Sequence, residues 1–130
     1  MKNNLKDKRK NPRIIFSLDD GIVGSLIVPH VHKKPITAYI LNLSLGGIYF
    51  TLRSDQSKDL NKGDIFSLTE IKQWGSENFV LNIDAEIKWK LDNKEMQYIS
   101  LGCEFKKIPD TSKQNLVKFM EAKRSLRKMK

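Results

Sequence analysis

The sequence predicts an all-β domain closed by a C-terminal helix. Three observations predict it. Six or seven short β-prone runs recur at spacings near ten residues, hairpin-length polar connections separate them, and the apolar period lengthens from strand-like to helix-like only after Pro109. This pattern favours an antiparallel barrel or sandwich over a βαβ plan, and a barrel leaves no exposed edge.

The first run, Arg13 to Leu18, contains Ile14, Ile15 and Phe16 and meets Asp19-Asp20-Gly21, a hairpin signal, before a second run from Ile22 to Val28. Pro29 and Pro35 bound a loop containing His30 and His32, because a proline cannot join a central ladder. Ile36 to Leu43 is the next strand, Gly46-Gly47 a tight bend, and Ile48 to Leu52 a strand again. Arg53 to Lys62 is a polar connection with room for a helical turn, and Lys62-Gly63-Asp64 turns the chain into a short strand from Ile65 to Leu68. After a loop at Gln73 to Ser76, Phe79 to Leu91 forms a long strand with Leu81, Ile83, Ala85, Ile87 and Trp89 on one face. Asp92-Asn93 returns it into Met96 to Phe105. Beyond Pro109, Thr111 to Gln114 has capping-box spacing, and Leu116, Val117, Phe119, Met120 and Ala122 share one side of a helix whose basic end suits its dipole.

The expected organisation is a basic leader over residues 1–13, a barrel over 14–108 and a helix over 109–130, together one domain. The net charge of +9 is carried by the ends: residues 1–13 hold +5, residues 113–130 hold +6, and the middle holds −2. A near-neutral body argues against a polyanion-gripping face, so RNA or single-stranded DNA is the weaker partner class. No apolar run approaches the roughly 20 residues that span a bilayer, and the charged N-terminus lacks a secretory signal, so membrane association is not expected and the cytoplasm is the expected location. Cys103 has no intrachain partner and reads as a small core hydrophobe. His30 and His32 lack a third ligand, so no metal site is expected, and no nucleophile with a base or paired carboxylates supports an enzyme.

Two stretches stand apart from this scaffold. Arg9-Lys10-Asn11-Pro12-Arg13 sets two guanidiniums four residues apart, and Pro12 disfavours a helix there, so the pair lies on an extended segment with Cα atoms up to roughly 13 Å apart. A guanidinium matches a phosphate bidentately, stacks on a base, or meets O6 and N7 of guanine. About thirty residues later comes Asn42-Leu43-Ser44-Leu45-Gly46-Gly47. By strand period Asn42 and Ser44 face outward while Leu43 enters the core, and the glycines let the backbone bend and approach a flat ligand.

The two stretches, correctly ordered and spaced in a β-rich chain, resemble the PilZ domain, a bacterial receptor module for cyclic di-GMP. Its pattern is Arg-x-x-x-Arg in a leader, then Asp or Asn-x-Ser-x-x-Gly at a strand end, matched here by Arg9, Arg13, Asn42, Ser44 and Gly47. Ile87-x-Trp89, Gly102-Cys103-Glu104-Phe105 and the closing basic helix extend the likeness over residues 7–127. The resemblance implies a six-stranded antiparallel β-barrel with a helix packed against it, and a non-enzymatic receptor with cyclic di-GMP as ligand and no cofactor. It places Arg9 and Arg13 on phosphate and guanine, Asn42 and Ser44 on a guanine base, and Gly47 at a point of close approach. Lys8, Lys10, Gly46 and Trp89 are secondary candidates. Family members that bind a nucleotide dimer use an extra arginine beside the motif; Lys8 in that region leaves the stoichiometry open.

Trp89 shares a predicted face with Ile87 and Ala85, which favours core packing over a ring lent to a base. The function expected is a monomeric cyclic di-GMP receptor whose leader orders on binding and which signals to a protein effector. Two alternatives remain: a PilZ-type adaptor that binds protein but no nucleotide, and a small basic barrel for RNA or single-stranded DNA.

Overall fold

The computed structural model describes residues 13–29, 35–56, 60–73, 78–92 and 97–128. Seven strands and one helix follow in order: β1 (Ile14–Ile15), β2 (Ile22–Ile27), β3 (Ile36–Leu43), β4 (Gly47–Arg53), β5 (Ile65–Gln73), β6 (Phe79–Asp92), β7 (Tyr98–Lys107) and α1 (Asp110–Lys128). Six of them close into an antiparallel barrel in the order β3-β2-β5-β6-β7-β4, with β4 returning to pair with β3. The two-residue β1 lies outside that ring, on β3.

Alternation decides what enters the barrel. Ile36, Ala38 and Ile40 of β3, Ile48, Phe50 and Leu52 of β4, and Leu81, Ile83, Ala85 and Ile87 of β6 are all buried, and Phe50 meets Phe66 edge-on at 5.7 Å. Each buried Ile, Leu or Phe among them contributes roughly 1.5–3 kcal/mol by leaving water, and the two alanines less. One end of the barrel is closed by α1, whose Leu116, Phe119 and Met120 are buried, with Phe119 packed against Phe79 at 5.3 Å and Phe16 at 6.3 Å.

The helix seats where β6 departs from regular geometry. Asn82 has φ 62°, a left-handed conformation that asparagine tolerates, and the β5–β6 register shifts between Leu68 and Glu70. Nearby carbonyls receive helix side chains: Asn115 Nδ2 donates to Val80 O at 2.9 Å, and the buried Ser112 hydroxyl donates to Leu81 O. Lys123 Nζ donates to Gln73 Oε1 and sits 5.4 Å from the Phe119 ring centroid; burial pushes its pKa down, and the Asp20 charge opposes that shift.

Four sequence expectations need correction. Asp19-Asp20-Gly21 does not form a hairpin turn. β1 and β2 are both antiparallel to β3, hence parallel to each other, and share one edge of it; a 3-10 turn at Leu18–Asp20, ended by left-handed Gly21, carries the chain between them. Strand β5 extends to Gln73 instead of stopping at Leu68, because the register shift past Leu68 brings Ile71 into the core despite the polar Thr69-Glu70. Helix α1 begins at Asp110, one residue before the expected cap, and Ala122 is exposed. Trp89 is 45% exposed rather than in the core, because the β6–β7 register shifts between Ile87 and Trp89. The polar connection after β4 does hold a turn of 3-10 helix at Ser54–Gln56.

Candidate functional site

Strand β3 is paired by β2 only as far as Tyr39, which leaves the edge at Leu41 to Leu43 open. β1 fills it: Ile14 pairs with Leu43, Ile15 with Asn42, and Phe16 N–H donates to Leu41 O at 2.8 Å. Ile14 is buried, so its neighbour Arg13 is directed outward, beside the end of β3.

The chain after Leu43 makes the turn Ser44–Gly47. Ser44 N–H donates to Gly47 O at 3.0 Å, and the buried Ser44 Oγ accepts from Gly46 N at 3.1 Å and Gly47 N at 3.2 Å. Its acceptor capacity thus shapes the turn, leaving the hydroxyl proton as the part able to reach a ligand. Gly46 O accepts from Phe105 N–H at 2.9 Å, anchoring the turn on β7. A Cβ on Gly47 would lie 2.3 Å from Cys103 O, so the close approach this glycine permits is to strand β7.

Beside the turn, β4, β7 and β6 supply a wall. Tyr49 pairs with Gly102, and Gly102 with Trp89. The β6–β7 register shifts between Ile87 and Trp89, so Lys88 is an extra residue and Trp89 turns to the outer face although Ile87 remains buried. Its indole lies over Gly102 and meets the Tyr49 ring at 5.2 Å, inclined by 43°.

Arg13, Ser44, Gly46, Gly47, Tyr49 and Trp89 line one cleft of about 340 Å³, together with Lys88, Gly102 and Glu104 and, at its floor, the buried Ile48 and Cys103. Lys88 and Glu104 belong to a cluster in which Lys88 and Lys106 each meet Glu86 and Glu104 at 3.3–3.6 Å. The hydrogen bond from Lys106 holds the Glu86 carboxyl below its ordinary range, and the same bond raises the Lys106 pKa. The Cys103 thiol, buried beneath the wall, is pushed up to about 12 by loss of solvent. It behaves as the core hydrophobe expected.

Of the predicted site residues, Arg13, Ser44, Gly46, Gly47 and Trp89 come together at this cleft. Asn42 does not line it; it is half-buried on β3, paired with Ile15 and Tyr49. Arg9, Lys8 and Lys10 lie outside the described residues, as do His30 and His32. Among the described residues no group of three or more His, Cys, Asp or Glu is placed to hold a metal ion. Tyr49, Lys88, Gly102 and Glu104 were missed. Gly102 inside a strand and Tyr49 between inward Ile48 and Phe50 were the available signals, since a strand glycine often marks a close approach.

The PilZ domain family model matches residues 7–122, nearly the whole chain. The chain belongs to the PilZ domain family. Its barrel and helix are those of solved PilZ structures. The PilZ domain of YcgR from Escherichia coli, solved with c-di-GMP, superposes with a TM-score of 0.65 at 20% identity, over 94% of this chain and 96% of that one. The Bacillus subtilis inhibitor of motility MotI/DgrA superposes at 0.66 with 19% identity over 94% of this chain, and the K. pneumonia MrkH–c-di-GMP complex at 0.63 with 17% identity over 90%. This chain spans 53% of the former and 55% of the latter, about half of each. Comparison with curated proteins finds no match. Among the described residues of this PilZ domain, no helix is long and apolar enough to cross a membrane.

Proposed function

We propose that this PilZ domain is a cyclic di-GMP receptor rather than an enzyme, and that nucleotide binding draws the leader preceding Arg13, with Arg9, onto the cleft that Arg13 lines. One observation carries the proposal: Arg13 and the Ser44–Gly47 turn, brought together by the β1–β3 pairing, line a single cleft with the half-buried Tyr49 and the exposed Trp89, whose rings are in contact. A guanidinium for phosphate or guanine, a hydroxyl proton, and rings on which a base can stack are the groups a guanine dinucleotide needs. YcgR and MrkH, whose structures hold c-di-GMP, share the fold.

The output is contact with an effector protein. Leu45, between Ser44 and Gly46, faces a second groove of about 240 Å³ with Val117, Met120, Glu121 and Arg124 of α1. A ligand that tightens the turn therefore acts one residue away from a surface that includes the helix.

Calorimetric titration with cyclic di-GMP tests the proposal. Hydrogen bonds to charged groups contribute about 1.5–3 kcal/mol. Arg13→Ala, at an exposed position, should weaken binding by roughly tenfold to a hundredfold. Unchanged binding in this variant removes Arg13 from the site, and a titration blank with folded wild type favours the adaptor.

A further inference from the structure

We propose that Glu104 and Lys88 form a base-reading pair that selects guanine at this cleft. The inference rests on the receptor function above and adds the residues that would tell one purine from another. Both residues line the cleft, and their side chains meet each other at 3.4 Å.

Their position follows from the strands. Gly102 and Glu104 are two residues apart on β7, so they share its outward face about 7 Å apart. Glu104 stands one outward position beyond the glycine that carries the Trp89 indole, and Lys88, the extra residue of the β6 bulge, adjoins Trp89 in the chain. A purine stacked on that indole presents its edge to a carboxylate and an ammonium.

Guanine suits that pair. Its Watson–Crick edge offers N1–H and N2–H as adjacent donors, which one carboxylate accepts side by side, and O6 as an acceptor for an ammonium. Hypoxanthine lacks the N2 amine, and adenine presents an acceptor at N1.

The rest of the cluster lets the pair work. Glu86 and Glu104 are directly opposite on β6 and β7, where like charges repel. Lys106 contacts both carboxylates, at 3.3 and 3.6 Å, so it continues to screen them when Lys88 turns toward a ligand. The Lys88 side chain is 46% exposed and that of Glu104 53%, so rearranging their ion pair costs little.

The test compares cyclic di-GMP with cyclic di-IMP, its hypoxanthine counterpart, in calorimetric titrations of the full chain as wild type, Glu104→Ala and Arg13→Ala. Wild type should prefer the guanine form by about tenfold or more, the worth of one hydrogen bond to a charged group. Glu104→Ala should bring that ratio close to one, while Arg13→Ala weakens both ligands and keeps the ratio. Binding of cyclic di-GMP with no preference in wild type, or with a ratio unchanged in Glu104→Ala, overturns the base-reading pair and leaves the receptor function standing. No binding of cyclic di-GMP by folded wild type overturns both. Circular dichroism of each variant establishes that it is folded.

Discussion

The indole of Trp89 occupies the space that a side chain at position 102 would fill: a Cβ built on Gly102 stands 2.1 Å from both Nε1 and Cε2 of the ring. Gly102→Ala must therefore displace the indole from its seat against Tyr49. Because the ring is half-exposed and can turn away into solvent, the loss is that of its aromatic contact, about 0.5–1.5 kcal/mol. Urea unfolding should show that loss in wild type and much less of it in a Trp89→Ala background, since the clash needs both partners. Additive effects in the double-mutant cycle would show that the ring does not rest there.

Ser44 and Arg13 line the same cleft but differ in what else they do. Ser44→Ala removes the acceptor of two backbone N–H groups in the turn, at about 1–3 kcal/mol. It should lower the urea midpoint as well as the affinity for cyclic di-GMP. Arg13→Ala should lower the affinity with an unchanged midpoint, and equal losses of stability in the two variants would contradict this division.

Cys103 should resist thiol reagents in the folded protein near neutral pH and react once urea unfolds the chain. Burial raises its pKa from 9.0 to about 12. The sign is that of a group whose neutral form is favoured by folding: its contribution is complete below pH 9.0 and is lost as pH rises toward about 12, because the unfolded thiol ionises first. Cys103→Ser should flatten that part of the stability profile.

Glu86 should titrate below the ordinary carboxylate range in a proton-detected NMR experiment, and Lys106→Ala should return it upward, since the Lys106 hydrogen bond is the main cause of the shift. Its pairing stabilises the fold above the unfolded carboxylate value of 4.5 and is lost as pH falls through the lowered folded value. Because the pair faces solvent, high salt should shrink the difference between wild type and variant.

Much of the fold was legible because alternation and turn residues act locally. The strands at Ile36–Leu43 and Phe79–Asp92 lie within a residue of where the apolar period puts them, and the polar Ser44 and paired glycines marked the turn beside the cleft. The face of Trp89 was not legible. Counting by two from Ile87 places it in the core, and one extra residue in the bulge at Lys88 turns it outward. The partner of β1 was also hidden, because Asp19-Asp20-Gly21 suits a hairpin as readily as the 3-10 turn found.

Residues close together along the chain carry the all-β class, the closing helix and both halves of the Arg-x-x-x-Arg and Asn-x-Ser-x-x-Gly pattern, whereas a barrel rather than a sandwich follows from the resemblance which that pattern carries. Folding of the whole chain is what brings Arg13 to the Ser44–Gly47 turn and sets Tyr49, Gly102, Trp89, Lys88 and Glu104 in the wall beside them. Strands β4, β7 and β6 become neighbours through barrel closure and ladder register, which depend on the packing of the whole core and on a single bulge, and are absent from any local window of the chain.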